Sequence, residues 1–139
     1  MRVAILDDYQ QVSLASADWS AVRSLGQIDV FAEHIGRTEA LVSALEPYDV
    51  VVAMRERTPF DADLLGQLPR LRLLVTTGMG NTSIDLEAAA ARGITVSGTG
   101  GIGTATALRL AREGANVVVG SVRILASALI VLPSSSSGT

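Results

Sequence analysis

Short apolar runs recur along the chain at an even pace, and each is followed by a stretch whose apolar positions fall three or four apart. Compact runs of aliphatic and β-branched residues predict buried strands, and the wider spacing predicts helices with one buried face. "VAIL" is the first predicted strand, closed by Asp7 and Asp8. A helix follows over "ADWSAVRSLG", with Gly26 as its stop, and "IDVF" is the second strand. Thr38 then reads as the N-cap of "EALVSALE", a helix ended by Pro47. "DVVVAM" is the third strand. "TPFDADLLGQL" predicts a helix with Thr58 as N-cap, Pro59 in the first helical position and Asp61 in a capping-box place. "LRLLVTT" is the fourth strand, Thr82 or Ser83 caps "IDLEAAAARG", and "ITVS" is the fifth.

This alternation predicts an α/β fold: a three-layer, doubly wound parallel sheet, flavodoxin-like or Rossmann-like, in strand order 2-1-3-4-5. The stretch "TATALRLAREG" reads as one more crossover helix, stopped by Gly114, and "NVVV" as a sixth strand at the sheet edge. Residues 1–132 are therefore expected to form a single domain. The segment 133–139 is a serine-rich tail and is left out of the fold. In open sheets of this kind ligands collect at the carboxyl ends of the strands. The loops of interest are 7–11, 54–57, 76–81 and 98–103.

Composition narrows the chemistry. The chain has 139 residues, enough for one sizeable core, with 48% apolar and only 4% aromatic residues, so aliphatic side chains carry the packing. A net charge of −3 gives no reason to expect a nucleic-acid partner or an anionic membrane surface. There is no cysteine, which excludes disulfides and thiolate chemistry. Met1 leads straight into an apolar strand with no signal peptide, so the expected location is cytoplasmic. Beyond Glu113 the only charge is Arg123. The largely apolar stretch 115–132 is interrupted by Asn116, Gly120, Ser121 and Arg123, which argues against a membrane span; if residues 120–132 are uncovered in the monomer, they should drive homodimerisation.

Gly98, Gly100 and Gly103 spell G-x-G-x-x-G between a predicted strand and a predicted helix. Such glycines allow a tight turn and let the backbone approach a pyrophosphate held by helix N-terminal amides. The acidic partner that an NAD ribose needs is missing further on, where Val118, Val119, Gly120 and Ser121 stand. Ser121 and Arg123 suit a 2′-phosphate instead, which favours NADP over NAD. The same glycines could equally serve close helix–sheet packing. The turn "TTGMGN", with Gly78, Met79 and Gly80, offers backbone amides suited to a carboxylate, and Arg55 and Arg57 could supply matching charge. Its bland alternative is an ordinary turn beside surface arginines.

Asp7 and Asp8 invite a cation-binding receiver reading, but strands three and five end in Met54–Arg55 and Ser97–Gly98, which lack the phospho-acceptor Asp and the Lys. A flavin mononucleotide phosphate is excluded by the acidic "DDYQQVS" loop. Helix capping or plain solvation is the expected role of the aspartates, no metal is expected, and His34, the lone histidine, reads as a surface residue.

Taken in order, "AILDDYQQVSLASADWS", "VVAMRERTPFDADLLGQLPRLRLLVTTGMGN" and "IDLEAAAARGITVSGTG" resemble the substrate-binding domain of D-isomer-specific 2-hydroxyacid dehydrogenases, of which phosphoglycerate dehydrogenase is one. The resemblance covers about residues 1–100. It implies a flavodoxin-like domain in which the "TTGMGN" turn grips the substrate carboxylate and Arg55, Gly78, Met79 and Gly80 line the cleft. It also implies that the catalytic Arg, Glu and His belong to a second, NAD-binding domain with no counterpart in this sequence. "GGIGTATALRLAREGANVVVG" resembles instead the Gly-rich first βαβ segment of short-chain dehydrogenases, whose Tyr-x-x-x-Lys pair is absent because the chain has no lysine. The expectation is a dehydrogenase-derived domain, 1–97 joined to 98–120, without hydride transfer of its own. It would bind at most a nucleotide, or the carboxylate of a 2-hydroxy or 2-oxo acid. The alternatives are a subunit completed by a partner chain, and a chimeric or engineered scaffold with no ligand.

Overall fold

The computed structural model describes residues 1–15, 19–36, 39–76, 82–98 and 118–119. Its strands are β1 (Arg2–Ile5), β2 (Gln27–Val30), β3 (Val50–Ala53), β4 (Leu73–Thr76), β5 (Thr95–Gly98) and β6 (Val118–Val119). The helices are α1 (Ser20–Leu25), α2 (Glu39–Leu45), α3 (Ala62–Gly66) and α4 (Leu86–Ala91). Every neighbouring strand pair is parallel, in the order β2-β1-β3-β4-β5-β6. The expected 2-1-3-4-5 order is thus observed, with "VV" of the "NVVV" run at the far edge, where Gly98 stands opposite Val119.

The strands read as unbroken apolar runs because both faces of the sheet are covered. Val3, Ile5, Val50, Val52, Leu73 and Val75 point to one side, where Trp19 and Val22 of the α1 region meet them. Ala4, Leu6, Val51, Ala53, Leu74 and Val96 point to the other, against Leu41 and Leu45 of α2, Leu64 and Leu65 of α3 and Ala89 of α4. A strand's two-residue period sends successive side chains into these two separate cores, and burying each large aliphatic contributes about 1.5–3 kcal/mol.

Two helix starts differ from the sequence expectation. Asp61, not Thr58, caps α3, its carboxylate accepting from the Leu64 amide at 3.0 Å. Asp85, not Thr82 or Ser83, caps α4 and accepts from the Ala88 amide at 2.9 Å. One contact explains both shifts. The backbone of Phe60 pairs with the segment before α4: its amide donates to the Ser83 carbonyl at 2.7 Å, and its carbonyl accepts from the Asp85 amide at 2.8 Å. An extended Phe60, fully buried, cannot also be the second residue of a helix.

Two glycines have separate physical reasons. Gly26 does end α1, but in extended backbone; a Cβ there would lie 1.8 Å from the Met1 carbonyl oxygen, so it is close approach that demands glycine. Gly93 follows α4 at φ +70, its amide bonding to the Ala90 carbonyl while the Ile94 amide reaches the Ala89 carbonyl. This is the Schellman closure, whose left-handed position favours glycine.

Thr38, the helix over "TATALRLAREG", Gly114, the segment 120–132 and the tail lie outside the described residues. Among the described residues no helix is long and apolar enough to cross a membrane.

Candidate functional site

The strand order locates the crevice. The chain leaves β1 for β2 on one side and later places β3 on the other, so the loops after β1 and β3 part in opposite directions. In an open α/β sheet that switch point, at the carboxyl ends, is where ligands enter. The strands β4, β5 and β6 follow one another in a single direction, so the end of β5 is not such a point.

Asp7 lies two residues beyond the end of β1, at this switch point. It is 1% exposed and lies in left-handed backbone at φ 57, although it is not glycine. Its carboxylate takes the Thr58 hydroxyl on Oδ2 at 2.6 Å and meets His34 Nδ1 at 2.8 Å on Oδ1. Its carbonyl accepts from Arg57 Nη1 at 2.6 Å, and the Arg57 guanidinium lies over the Tyr9 ring, 4.4 Å from its centroid. Loops from β1, β2 and β3 therefore converge on one buried carboxylate. A polar group so far from water is tolerated because each oxygen has a partner. This corrects one expectation, since Asp7 is neither a helix cap nor solvated; His34 is at the surface as expected, with 41% of its side chain exposed, and its ring also contacts a carboxylate 27 residues away. No local pattern signals such a pair.

Asp8 is the partner that does cap, although it caps a turn. It accepts from the amides of Val12 and Ser13, both at 3.1 Å, and from the Ser13 hydroxyl at 2.5 Å. Burial pushes its pKa up, but the Ser13 hydroxyl, the two amides and the Arg57 charge outweigh that and hold the carboxyl below its ordinary value. Ser13 in turn presents its carbonyl to Trp19 Nε1 at 2.9 Å, tying the loop to the core.

Arg55 stands where β3 ends. It is exposed, sits in left-handed backbone at φ 53, and its guanidinium makes no hydrogen bond or ion pair with another described residue. Next to it, Glu56 accepts from the Thr82 hydroxyl at 2.7 Å. Across the sheet Ala53 pairs with Thr76, whose buried hydroxyl has no partner among the described residues. Gly78, Met79 and Gly80 lie just beyond Thr76 and outside the described residues. Gly98 ends β5, while Gly100, Gly103, Ser121 and Arg123 are also outside them. Among the described residues no three His, Asp or Glu side chains converge as metal ligands.

Comparison with known proteins adds family and fold. Residues 3–108 match the profile of the D-isomer specific 2-hydroxyacid dehydrogenase catalytic domain. The match runs through 98–103, where two dehydrogenase-like pieces were expected to join, and gives the chimera no support. No curated protein sequence matches. Among solved structures, a phosphoglycerate oxidoreductase from Vibrio cholerae is 35% identical, with a TM-score of 0.61 over 78% of this chain and 34% of its own. A putative D-3-phosphoglycerate dehydrogenase from Ralstonia solanacearum is 24% identical, with a TM-score of 0.62 over 82% of this chain and 39% of its own. A D-lactate dehydrogenase from Aquifex aeolicus, determined with NAD and lactic acid, is 20% identical, with a TM-score of 0.55 over 69% of this chain and 27% of its own. The chain thus spans only about a third of these relatives.

Proposed function

This chain belongs to the D-isomer specific 2-hydroxyacid dehydrogenase family, and from that premise we propose that it is a substrate-binding unit for the carboxylate of a 2-hydroxy or 2-oxo acid. One observation carries the reading: Arg55 follows β3 at the switch point, its guanidinium bonds to no other described residue, and it is held in a backbone conformation that a residue of its kind rarely adopts. An arginine fork matches a planar carboxylate with two parallel hydrogen bonds. In this reading the turn holding Gly78, Met79 and Gly80, which follows β4 next to β3, supplies backbone amides to the same anion. The Asp7 carboxylate is engaged by His34 and Thr58.

Hydride transfer is not assigned to this chain alone. The resemblance puts the catalytic Arg, Glu and His of the family in a further domain, and the relatives' greater length leaves room for one or for a partner chain. NADP or NAD is the second ligand of this reading, as NAD is of the Aquifex enzyme. Gly98, Gly100 and Gly103 would face its pyrophosphate, with Ser121 and Arg123 at a 2′-phosphate. Of these, Gly98 is the one among the described residues, at the carboxyl end of β5.

Oxalate, a planar stand-in for a 2-oxo acid, tests the reading when titrated into isotope-labelled protein, with NADPH and NADH titrated in parallel. Saturable shifts from oxalate, lost in Arg55→Gln with the fold intact, are expected. Absence of saturation at high-millimolar oxalate, or equal affinity in Arg55→Gln, overturns it. Tighter binding of NADPH than of NADH, weakened by Gly100→Val, would support the nucleotide half.

A further inference from the structure

We infer that Asp7 is a positioning residue for Arg55, acting through Thr58 and Arg57; the inference rests on the carboxylate reading above and names what aims its arginine. Asp7 and Arg55 end adjacent parallel strands, and both leave the sheet in left-handed backbone, at φ 57 and φ 53. For residues other than glycine each such position costs on the order of 1 kcal/mol, so surrounding contacts must over-determine it. The side chain of Arg55 cannot do this, because it bonds to no other described residue. The residues after it can. Thr58 delivers its hydroxyl to Asp7 Oδ2 at 2.6 Å, and Arg57 delivers Nη1 to the Asp7 carbonyl at 2.6 Å. The Arg57 amide also returns to the Met54 carbonyl at 3.3 Å, closing a turn that has Arg55 inside it.

A further tie on this loop, Thr82 to Glu56, is exposed and exchanges readily for water. The buried tie, from Thr58, ends at Asp7. Thr58 is 3% exposed and Asp7 1%, so their bond competes with no solvent. His34 braces the other carboxylate oxygen from the loop after β2, which keeps Asp7 from turning toward any other donor. The direction in which Arg55 presents its fork is thus set 48 residues earlier in the chain, by a carboxylate that need not touch the ligand.

Thr58→Val removes the hydroxyl at nearly constant shape, Thr58→Ser restores it, and Asp7→Asn weakens the acceptor. The direct readout needs no ligand: the Cα and Cβ chemical shifts and the amide–Hα coupling of Arg55 report whether it is left-handed. The expected result is that Arg55 is left-handed in the parent and in Thr58→Ser, and loses that signature in Thr58→Val and Asp7→Asn while shifts in the strands stay put. Oxalate affinity should fall about tenfold in Thr58→Val, the scale of one hydrogen bond to a charged group, and recover in Thr58→Ser. A left-handed Arg55 that persists in Thr58→Val overturns the inference, and this decides the matter if Asp7→Asn fails to fold. A left-handed signature lost in Thr58→Val, in a protein that never bound oxalate, would leave Asp7 orienting a loop that is not the acid site. That would overturn the functional reading and, with it, the role claimed for Arg55.

Discussion

Replacing Asp8 by Ala should destabilise the fold by about 2 kcal/mol, and the structure shows where that figure arises. The carboxylate accepts three hydrogen bonds, from the Val12 amide, the Ser13 amide and the Ser13 hydroxyl. Val12 is exposed and its amide can turn to water, but Ser13 is 5% exposed and its donors cannot. Each buried donor left unsatisfied costs about 1–3 kcal/mol, and the hydroxyl, free to rotate, sits at the lower end of that range. Relief of the buried carboxylate's own desolvation offsets part of the sum. The loop also holds the Ser13 carbonyl against Trp19 Nε1, so its loosening reaches the core. Urea unfolding followed by fluorescence of the single tryptophan measures the loss. With a slope of about 2 kcal/mol per molar, the midpoint should drop by about 1 M. The linkage has a definite sign. The folded pKa of Asp8 lies below its ordinary 3.8, so its contribution is present above that value and is lost as pH falls through the depressed one. The gap between parent and Asp8→Ala should therefore narrow on acidification. A midpoint shift under about 0.2 M, or a gap that does not narrow with acid, would refute the account.

Two further outcomes follow from other parts of the sheet. Gly93→Ala should lower stability by about 1 kcal/mol, because the site has open space around it but a φ of +70; a thermal midpoint equal to the parent's would show that the turn relaxes instead. At the amino end of the sheet the Tyr48 hydroxyl donates to Asp29 at 2.8 Å, and Arg2 lies 4.6 Å from its ring centroid. Burial first and the Asp29 carboxylate second push the phenol up to about 12. The neutral form is thus favoured in the folded state, so its contribution holds below pH 10.0 and disappears as pH rises toward 12. Tyrosinate absorbance should show a step near the upper value in the folded protein, absent in Tyr48→Phe, and that variant should lose stability less steeply through the alkaline range.

Much of the fold was legible in the hydrophobic pattern. Residues such as Val50 to Ala53 read as a buried strand because, in a sheet covered on both faces, every position must be apolar, and that demand is written locally. The sixth strand was legible for the same reason, as "VV" in an apolar run. The helix starts were not. Thr58 is a good N-cap by composition, but its hydroxyl goes to Asp7, 51 residues away, while Phe60 pairs with the segment before α4. Capping preference is worth about 1 kcal/mol, and a buried carboxylate that needs its donor outweighs it.

The candidate site divides along the same line. Arg55 could be singled out from the residues around it, because a family's loop sequence survives as a local string, and its place at a strand end follows from the strand. The His34–Asp7 contact and the left-handed turns at Asp7 and Arg55 could not. Sequence alone determined which segments are strands, how they alternate with helices and at which end of the sheet a ligand should gather, since periodicity and burial are properties of neighbours along the chain. Tertiary structure decided which polar side chains meet in the crevice. Loop conformation there is set by hydrogen bonds between residues tens of positions apart, formed only once parallel strands bring β1, β2 and β3 side by side.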